Sequence, residues 1–310
     1  MPIYLLIIII FLTTLAAIIF LYLIATYKIY KKIFKTKNKN ELILKNKNQL
    51  SKYNIKWLNN KFEDLKIKSF DKIYLYGHFL RENSNNYLIS VHDYKGNYKD
   101  LSNICSYFNE QLKYNVLMIE NRGTGKSNYP ITTLGSKESK DIISWIKFII
   151  SKNPNANIVL YGFSMGGVAC LNSAKFNLPN NVKAIISDSA FSSIRKELNF
   201  LLNQNFKNEF LRKLFIKTLN IFTKIFHNFS FDDNYPLKNL KNNKIPTLLI
   251  HGQNDSLVPF FMLNEIYNVI PSTTYKLKIS LQNTKHGMTY FNNPKFYTNT
   301  ISNFLNFIIK

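Results

Sequence analysis

One stretch, residues 157–167, restricts what this chain can fold into more than any other. A short apolar run, Ile158-Val159-Leu160-Tyr161, breaks into Gly162-Phe163-Ser164-Met165-Gly166-Gly167, and the small residues Val168-Ala169-Cys170 follow at once. The run reads as a buried strand and the small-residue segment as the start of a helix. A serine on so sharp a strand-to-helix turn sits in strained backbone, and the positions two before and two after it must lack bulk, which Gly162 and Gly166 satisfy. Such an elbow lifts the serine hydroxyl clear of the sheet and points unpaired helix N–H groups at it. The five-residue pattern alone recurs by chance, so its weight depends on what the chain places downstream.

Downstream, Thr247-Leu248-Leu249-Ile250 reads as a strand running into His251-Gly252-Gln253-Asn254-Asp255, and the last strand is followed by Lys285-His286-Gly287-Met288. Serine, aspartate and histidine thus follow successive strand ends in the order Ser164, Asp255, His286. In that arrangement His286 takes the serine proton, while Asp255 fixes the imidazole tautomer and stabilises the imidazolium. A lone loop aspartate is more often a helix cap and a lone loop histidine more often a surface residue, so the three carry weight only together. Asp188, at another strand end, is an alternative acid. The segment Gly125-Lys126-Ser127 resembles the end of a phosphate loop, but the first glycine of that motif would have to stand at Glu120.

The rest of the body alternates strands and helices. An edge hairpin is expected over 62–70 and 73–80, strands over 87–91, 116–120, 182–187, 246–250 and 275–279, and helices over 98–112, 134–150, 260–270 and 295–309. The helix over 134–150 carries Ile142, Ile143, Ile146 and Ile149 on one stripe. This alternation implies an α/β fold with a mostly parallel central sheet covered by helices on both faces, which places ligands at the C-terminal ends of the strands.

Residues 3–27 hold no charge and are rich in Ile, Leu, Phe and Ala. As a helix at about 1.5 Å per residue they reach roughly 37 Å, enough to cross a hydrocarbon core of about 30 Å. Lys28, Lys31, Lys32, Lys35, Lys37, Lys39, Lys45 and Lys47 follow against the single acid Glu41. The positive-inside rule then places the body in the cytoplasm, behind a single-pass anchor in the cell membrane. A secretory signal peptide is the alternative reading; the basic leading region and a small-residue cleavage site are both missing. The expected organisation is an anchor over 1–27, a basic linker over 28–56, and one domain over 57–310 with a helical insertion over 191–244.

The formal charge is +23. Lysine and asparagine are over-used throughout, and no basic cluster is interleaved with a nucleic-acid motif, so nucleic acid is not the expected partner. The two cysteines, Cys105 and Cys170, fall in expected helices and support neither a disulfide framework nor a metal site.

These motifs resemble the α/β-hydrolase fold family, in particular the bacterial serine hydrolases that include monoacylglycerol-lipase-like, acyl-thioesterase-like and serine-aminopeptidase-like members. The resemblance covers roughly residues 74–307. It is carried by His92-Asp93-Tyr94, Arg122 to Ser127, Gly162 to Gly167, Asp188-Ser189, His251 to Asp255 with Val258-Pro259, and His286. It implies Ser164 as nucleophile, Asp255 as acid, His286 as base, and the backbone N–H groups of Met165 and Tyr94 as the oxyanion hole. No cofactor or metal is implied, and the insertion becomes a lid over the pocket. The expected substrate is a small acyl compound, with a lipid-like one among the options, cleaved at a carboxylic ester or thioester. A serine aminopeptidase-like activity is an alternative, as is a weakly catalytic pseudo-hydrolase serving as a membrane-tethered binding module. One departure stands out: the family usually has glycine where this chain has Asp93. Aspartate tolerates left-handed backbone better than most residues, so the turn is expected to survive. The insertion is rich in aromatic and aliphatic residues at helical spacing, and Phe206, Phe210, Leu214 and Phe215 are expected to line an acyl pocket.

Overall fold

The computed structural model describes residues 2–36, 54–127, 129–233 and 235–309. Its first element, α1 (Ile3–Phe34), is a 32-residue helix with an apolar, outward-facing N-terminal part. The apolar segment ends at residue 27 as expected, but the helix does not. It continues through Lys28, Lys31 and Lys32 for about two more turns, because Thr26, Tyr30 and Phe34 bury one side of it against the body. The expected linker over 28–56 therefore begins as helix and ends in the short α2 (Ile55–Leu58). Its middle, with Lys37, Lys39, Glu41, Lys45 and Lys47, lies outside the described residues.

Eight strands form one sheet: β1 (Glu63–Lys68), β2 (Tyr74–Leu80), β3 (Asn86–Val91), β4 (Asn115–Ile119), β5 (Asn157–Phe163), β6 (Val182–Asp188), β7 (Thr247–Gly252) and β8 (Lys276–Leu281), in the order β1-β2-β4-β3-β5-β6-β7-β8. The expected edge hairpin is β1 with β2, antiparallel, and β2 also pairs antiparallel with β4; all later pairings are parallel. The inner strands are apolar on both faces because both are covered. Ile89 packs in one core with α4 (Ser136–Lys152), α5 (Met165–Ser173) and α9 (Phe261–Val269), while its neighbour Leu88 packs in the other with α3 (Ser102–Ser106) and α11 (Pro294–Ile308). The chain runs from β3 out to β4 and returns to β5 on the other side of β3. The topological switch point therefore lies between β3 and β5, where open α/β sheets take ligands.

The helix expected over 98–112 is not continuous. It starts as a 3₁₀ turn (Tyr98–Leu101), in which Asn97 and Asp100 cap one another's backbone, passes through α3 and ends in a π turn (Tyr107–Gln111). Between β6 and β7 the chain forms α6 (Ile194–Asn203), α7 (Glu209–His227) and α8 (Pro236–Asn239). Helix α7 lies along the C-terminal half of α1. Tyr22 Oη and Thr218 Oγ1 are 2.9 Å apart, and the rings of Tyr27 and Tyr30 pack on Phe222 and Phe226. A short α10 (Thr289–Asn292) precedes α11.

Candidate active site

The elbow forms as its residue types require. Ser164, between β5 and α5, has φ 52° and ψ −117°, a strained conformation for a residue with a side chain. Its N–H is held by Asp188 O at 2.7 Å. A Cβ on Gly166 would overlap the Val91 and His92 carbonyls, and one on Gly162 would overlap the backbone of Gly166, so neither position admits a side chain.

The loops after β7 and β8 bring Asp255 and His286 together. His286 Nδ1 lies 2.6 Å from Asp255 Oδ2. Its ring sits 5.1 Å, centroid to centroid, from Phe163, the residue before Ser164. With Nδ1 committed to Asp255, Nε2 is the nitrogen left to face a reacting group. The carboxylate is itself fixed: Oδ1 accepts from the N–H groups of Leu257 and Val258 at 2.9 and 2.8 Å, and His251 Nε2 stands 3.4 Å from Oδ2. Burial works to raise the Asp255 pKa, but the hydrogen bonds from His251 and His286 outweigh it and hold the group well below the ordinary carboxylate range. For His286, burial favours the neutral ring, and the Asp255 hydrogen bond and charge, aided by Asp93 and Asp188, still raise its pKa overall.

Asp188, the alternative acid, has its carboxylate engaged by other groups. It is buried and accepts from three hydroxyls, Ser189 Oγ at 2.8 Å, Thr289 Oγ1 at 2.5 Å and Tyr297 Oη at 2.9 Å. Burial raises its pKa, and its role is to tie β6 to α10 and α11.

The two N–H groups expected to form the oxyanion hole do converge, and Asp93 fills the space between them. Its Oδ1 accepts from Tyr94 N at 2.5 Å and Met165 N at 3.3 Å. The expectation of left-handed backbone at Asp93 is not met: positive φ falls on Lys95 (51°), two residues later. The aspartate thus departs from the family glycine through its side chain, not its backbone. His92 orders this loop. Its Nε2 accepts from Asn121 N at 3.2 Å, which leaves Nδ1–H to donate to Asp93 O at 2.8 Å.

Sequence reasoning missed two features here. Tyr94 Oη donates to Ile33 O at 2.5 Å and Lys95 Nζ to Lys32 O at 2.9 Å, so the loop after β3 caps open carbonyls at the end of α1. Burial, with the Asp93 charge second, pushes the Tyr94 phenol up to about 12, which keeps it a donor. The second feature is Glu197 on α6, whose Oε2 is buried and has no hydrogen-bond partner among the described residues. Burial pushes its carboxyl up to about 8; His286 acts against this, while Asp255 and Asp93 add to it, which places Glu197 within the field of the site. Neither feature has a local signature, since both depend on contacts between segments far apart in sequence.

A cavity of about 370 Å³ opens beside His286, lined by Asp93, Leu101, Ile104, Phe163, Tyr290 and Phe291 among others. It lies between the β3 loop and the segment after β8, not under the insertion's aromatics. Phe206, Phe210 and Leu214 are exposed instead, and Phe215 is buried in the core. The loop after β4 offers no phosphate cradle, because the N–H groups of Lys126 and Ser127 both point at Glu120 Oε2 and Lys126 Nζ reaches Asp64. Among the described residues, no cluster of His, Cys, Asp and Glu suits a metal ion, and Cys105 and Cys170 are both buried and free.

A family model described as alpha/beta hydrolase fold matches residues 96–234. Among curated proteins, the uncharacterized protein YqkD of Bacillus subtilis is 24% identical over 195 residues, covering 63% of each chain. The uncharacterized membrane protein YNL320W of Saccharomyces cerevisiae is 25% identical over 197 residues, again 63% of each. The chain thus matches somewhat less than two thirds of the length of these relatives. Among solved structures, a Pyrococcus furiosus esterase, Pf2001, superposes with a TM-score of 0.66 at 21% identity, covering 88% of this chain and 100% of its own. A Pyrococcus horikoshii acylaminoacyl peptidase gives 0.57 at 18% identity, covering 80% of this chain and 41% of its own. The strand order, the strained serine between β5 and α5 and these likenesses agree: the chain has the α/β-hydrolase fold.

Proposed function

We propose that the chain is a membrane-anchored serine hydrolase that cleaves a carboxylic ester or thioester through an acyl-enzyme. The observation that carries this reading is the 2.6 Å bond between His286 and Asp255 beside the Ser164 elbow. In the first half-reaction Ser164 Oγ attacks the acyl carbon, His286 Nε2 takes its proton, and the N–H groups of Met165 and Tyr94 receive the developing oxyanion. His286 then protonates the leaving group. In the second half-reaction water attacks the acyl-serine by the same path. The esterase and peptidase among the structural neighbours support a hydrolase and leave the scissile bond open.

A second reading, a weakly catalytic binding module, is favoured by the Asp93 carboxylate in the oxyanion hole. One screen separates the two. Full-length protein and a Ser164→Ala variant, purified in detergent, are offered p-nitrophenyl esters, acyl-thioesters and aminoacyl amides. Ester or thioester turnover that disappears in the variant supports the hydrolase. Turnover of aminoacyl amides alone selects the peptidase, and no turnover of any substrate selects the binding module.

The apolar part of α1 is assigned as a single-pass anchor in the cell membrane. The lysines after it support a body on the cytoplasmic side by the positive-inside rule. A C-terminal fluorescent-protein fusion should then fluoresce and an alkaline-phosphatase fusion stay silent, the reverse pair meaning export.

A further inference from the structure

Helix α7 presents an apolar stripe that the fold does not cover. At about 100° per residue, Phe210, Leu214, Ile221 and Ile225 fall within roughly 60° of arc. All four are exposed, Phe210 to 74% and Ile225 to 68%. The stripe borders the side of α7 that packs on α1 through Thr218 and Phe222. Lys213, Lys217 and Lys224, also exposed, lie along its other border.

The two helices run in the same direction, with Tyr22 beside Thr218 and Tyr30 beside His227. A hydrocarbon core needs about 20 apolar residues of helix, so a core spanned by the first part of α1 ends near Tyr22. Leu214 then lies about 6 Å and Phe210 about 12 Å beyond that level, on the membrane side, at about 1.5 Å per residue. Ile221 and Ile225 lie at the interface with Tyr27 and Tyr30, the residue type that gathers at headgroup depth.

The turn between α6 and α7 is built to hold this position. Arg212 is buried, and its guanidinium donates to Phe206 O, Lys207 O and Asn199 Oδ1 at 2.7–3.0 Å, which keeps its charge away from the stripe. Lysine stems can lie along apolar surface while their ammonium groups reach anionic headgroups.

We propose that this stripe is immersed in the membrane leaflet that α1 enters, so that anchor and insertion form one lipid-facing surface. This rests on the reading of α1 as a membrane anchor. The lipid layer is chosen over other occupants because the stripe is continuous with the apolar face of α1 and is flanked by cations. The C-terminal end of α1 meets Tyr94 and Lys95, so the catalytic end of the sheet faces the bilayer, and substrate reaches it from the lipid phase.

The test uses the full chain in nanodiscs of neutral and anionic phospholipid, with an environment-sensitive fluorophore on single introduced cysteines. Cys105 and Cys170 are fully buried and leave little background. The positions are Ile10→Cys in α1, Phe210→Cys and Ile225→Cys in the stripe, and Ser151→Cys at the opposite end of the sheet. Doxyl-labelled lipid should quench positions 10, 210 and 225 several-fold more than 151, with 225 answering best to the shallow quencher. Quenching at 10 with 210 and 225 behaving like 151 overturns the proposal and leaves the anchor intact. Absence of quenching at 10 removes the anchor reading and the proposal with it. Fluorophores at 210 and 225 that are shielded from water and quench one another between chains, yet ignore the lipid quencher, mean that a second copy covers the stripe, which also overturns the proposal.

Discussion

Asp93→Gly should make this protein a faster enzyme. In the resting structure the Asp93 carboxylate lies between the two N–H groups proposed to receive an oxyanion, 2.5 Å from Tyr94 N and 3.3 Å from Met165 N. A hydrogen bond to a charged group contributes about 1.5–3 kcal/mol. Only the Tyr94 contact is short, and the partly exposed carboxylate regains water when it leaves, so vacating the hole costs about 2 kcal/mol by that scale. At about 1.4 kcal/mol per tenfold, removing that cost raises kcat/KM roughly 30-fold. The added backbone freedom of glycine costs folding stability, about 0.5–1 kcal/mol, which a melting curve reads separately from the rate. The Asp93 charge also helps to raise the His286 pKa. Because the base must be neutral, its loss should move the acid limb of the pH–rate profile to lower pH. The assay is the second-order rate of labelling by a fluorophosphonate, followed from pH 5 to pH 9 alongside ester turnover. Asp93→Asn should give a smaller gain, because the amide oxygen can still accept from both N–H groups. A glycine variant that labels no faster than wild type, with an unmoved acid limb, would refute the view that Asp93 obstructs the hole.

His286→Ala should lower kcat by several orders of magnitude and Asp255→Asn by about 10⁴, the loss seen when a triad acid no longer sets the tautomer. Asp188→Asn should instead lower the melting temperature through the hydroxyls of Thr289 and Tyr297, and a comparable loss of kcat there would move the acid to Asp188. Tyr94→Phe breaks the link from the loop after β3 to Ile33 O and should lower kcat several-fold with KM unchanged; a rise in KM with kcat unchanged would mean that the link only supports binding. Glu197 has a folded pKa of about 8, above its ordinary value, so it contributes stability at low pH that declines as pH rises through about 8. Glu197→Gln should therefore flatten the fall in melting temperature between pH 5 and pH 9, and an unchanged slope would place that carboxyl in water.

The sheet, the elbow and the His286–Asp255 pairing were legible because each rests on local pattern: apolar runs of strand length, two glycines that sterics require, and polar residues at strand ends. The C-terminal end of α1 was not. Its lysines read as linker, whereas Tyr30 and Phe34 bind it to the body through contacts with Phe222, Phe226, Phe229 and Phe231, far along the chain. Of the residues expected to line an acyl pocket, Phe210, Leu214 and Phe215 lie on the amphipathic α7 and Phe206 in the turn before it, and the cavity beside His286 lies elsewhere. Helical periodicity identifies an apolar stripe without saying what it meets, and Phe210 faces outward. Asp93 was recognised as a departure from the family, yet its consequence depends on a side-chain torsion that no sequence pattern encodes.

The central claim is that Ser164 is an activated nucleophile. Full-length protein treated with a fluorophosphonate and analysed by intact mass and peptide mapping tests it most directly. The account predicts one adduct per chain, on Ser164, lost in Ser164→Ala and strongly slowed in His286→Ala. An adduct on another residue, or labelling that is unchanged in the alanine variants, would contradict it.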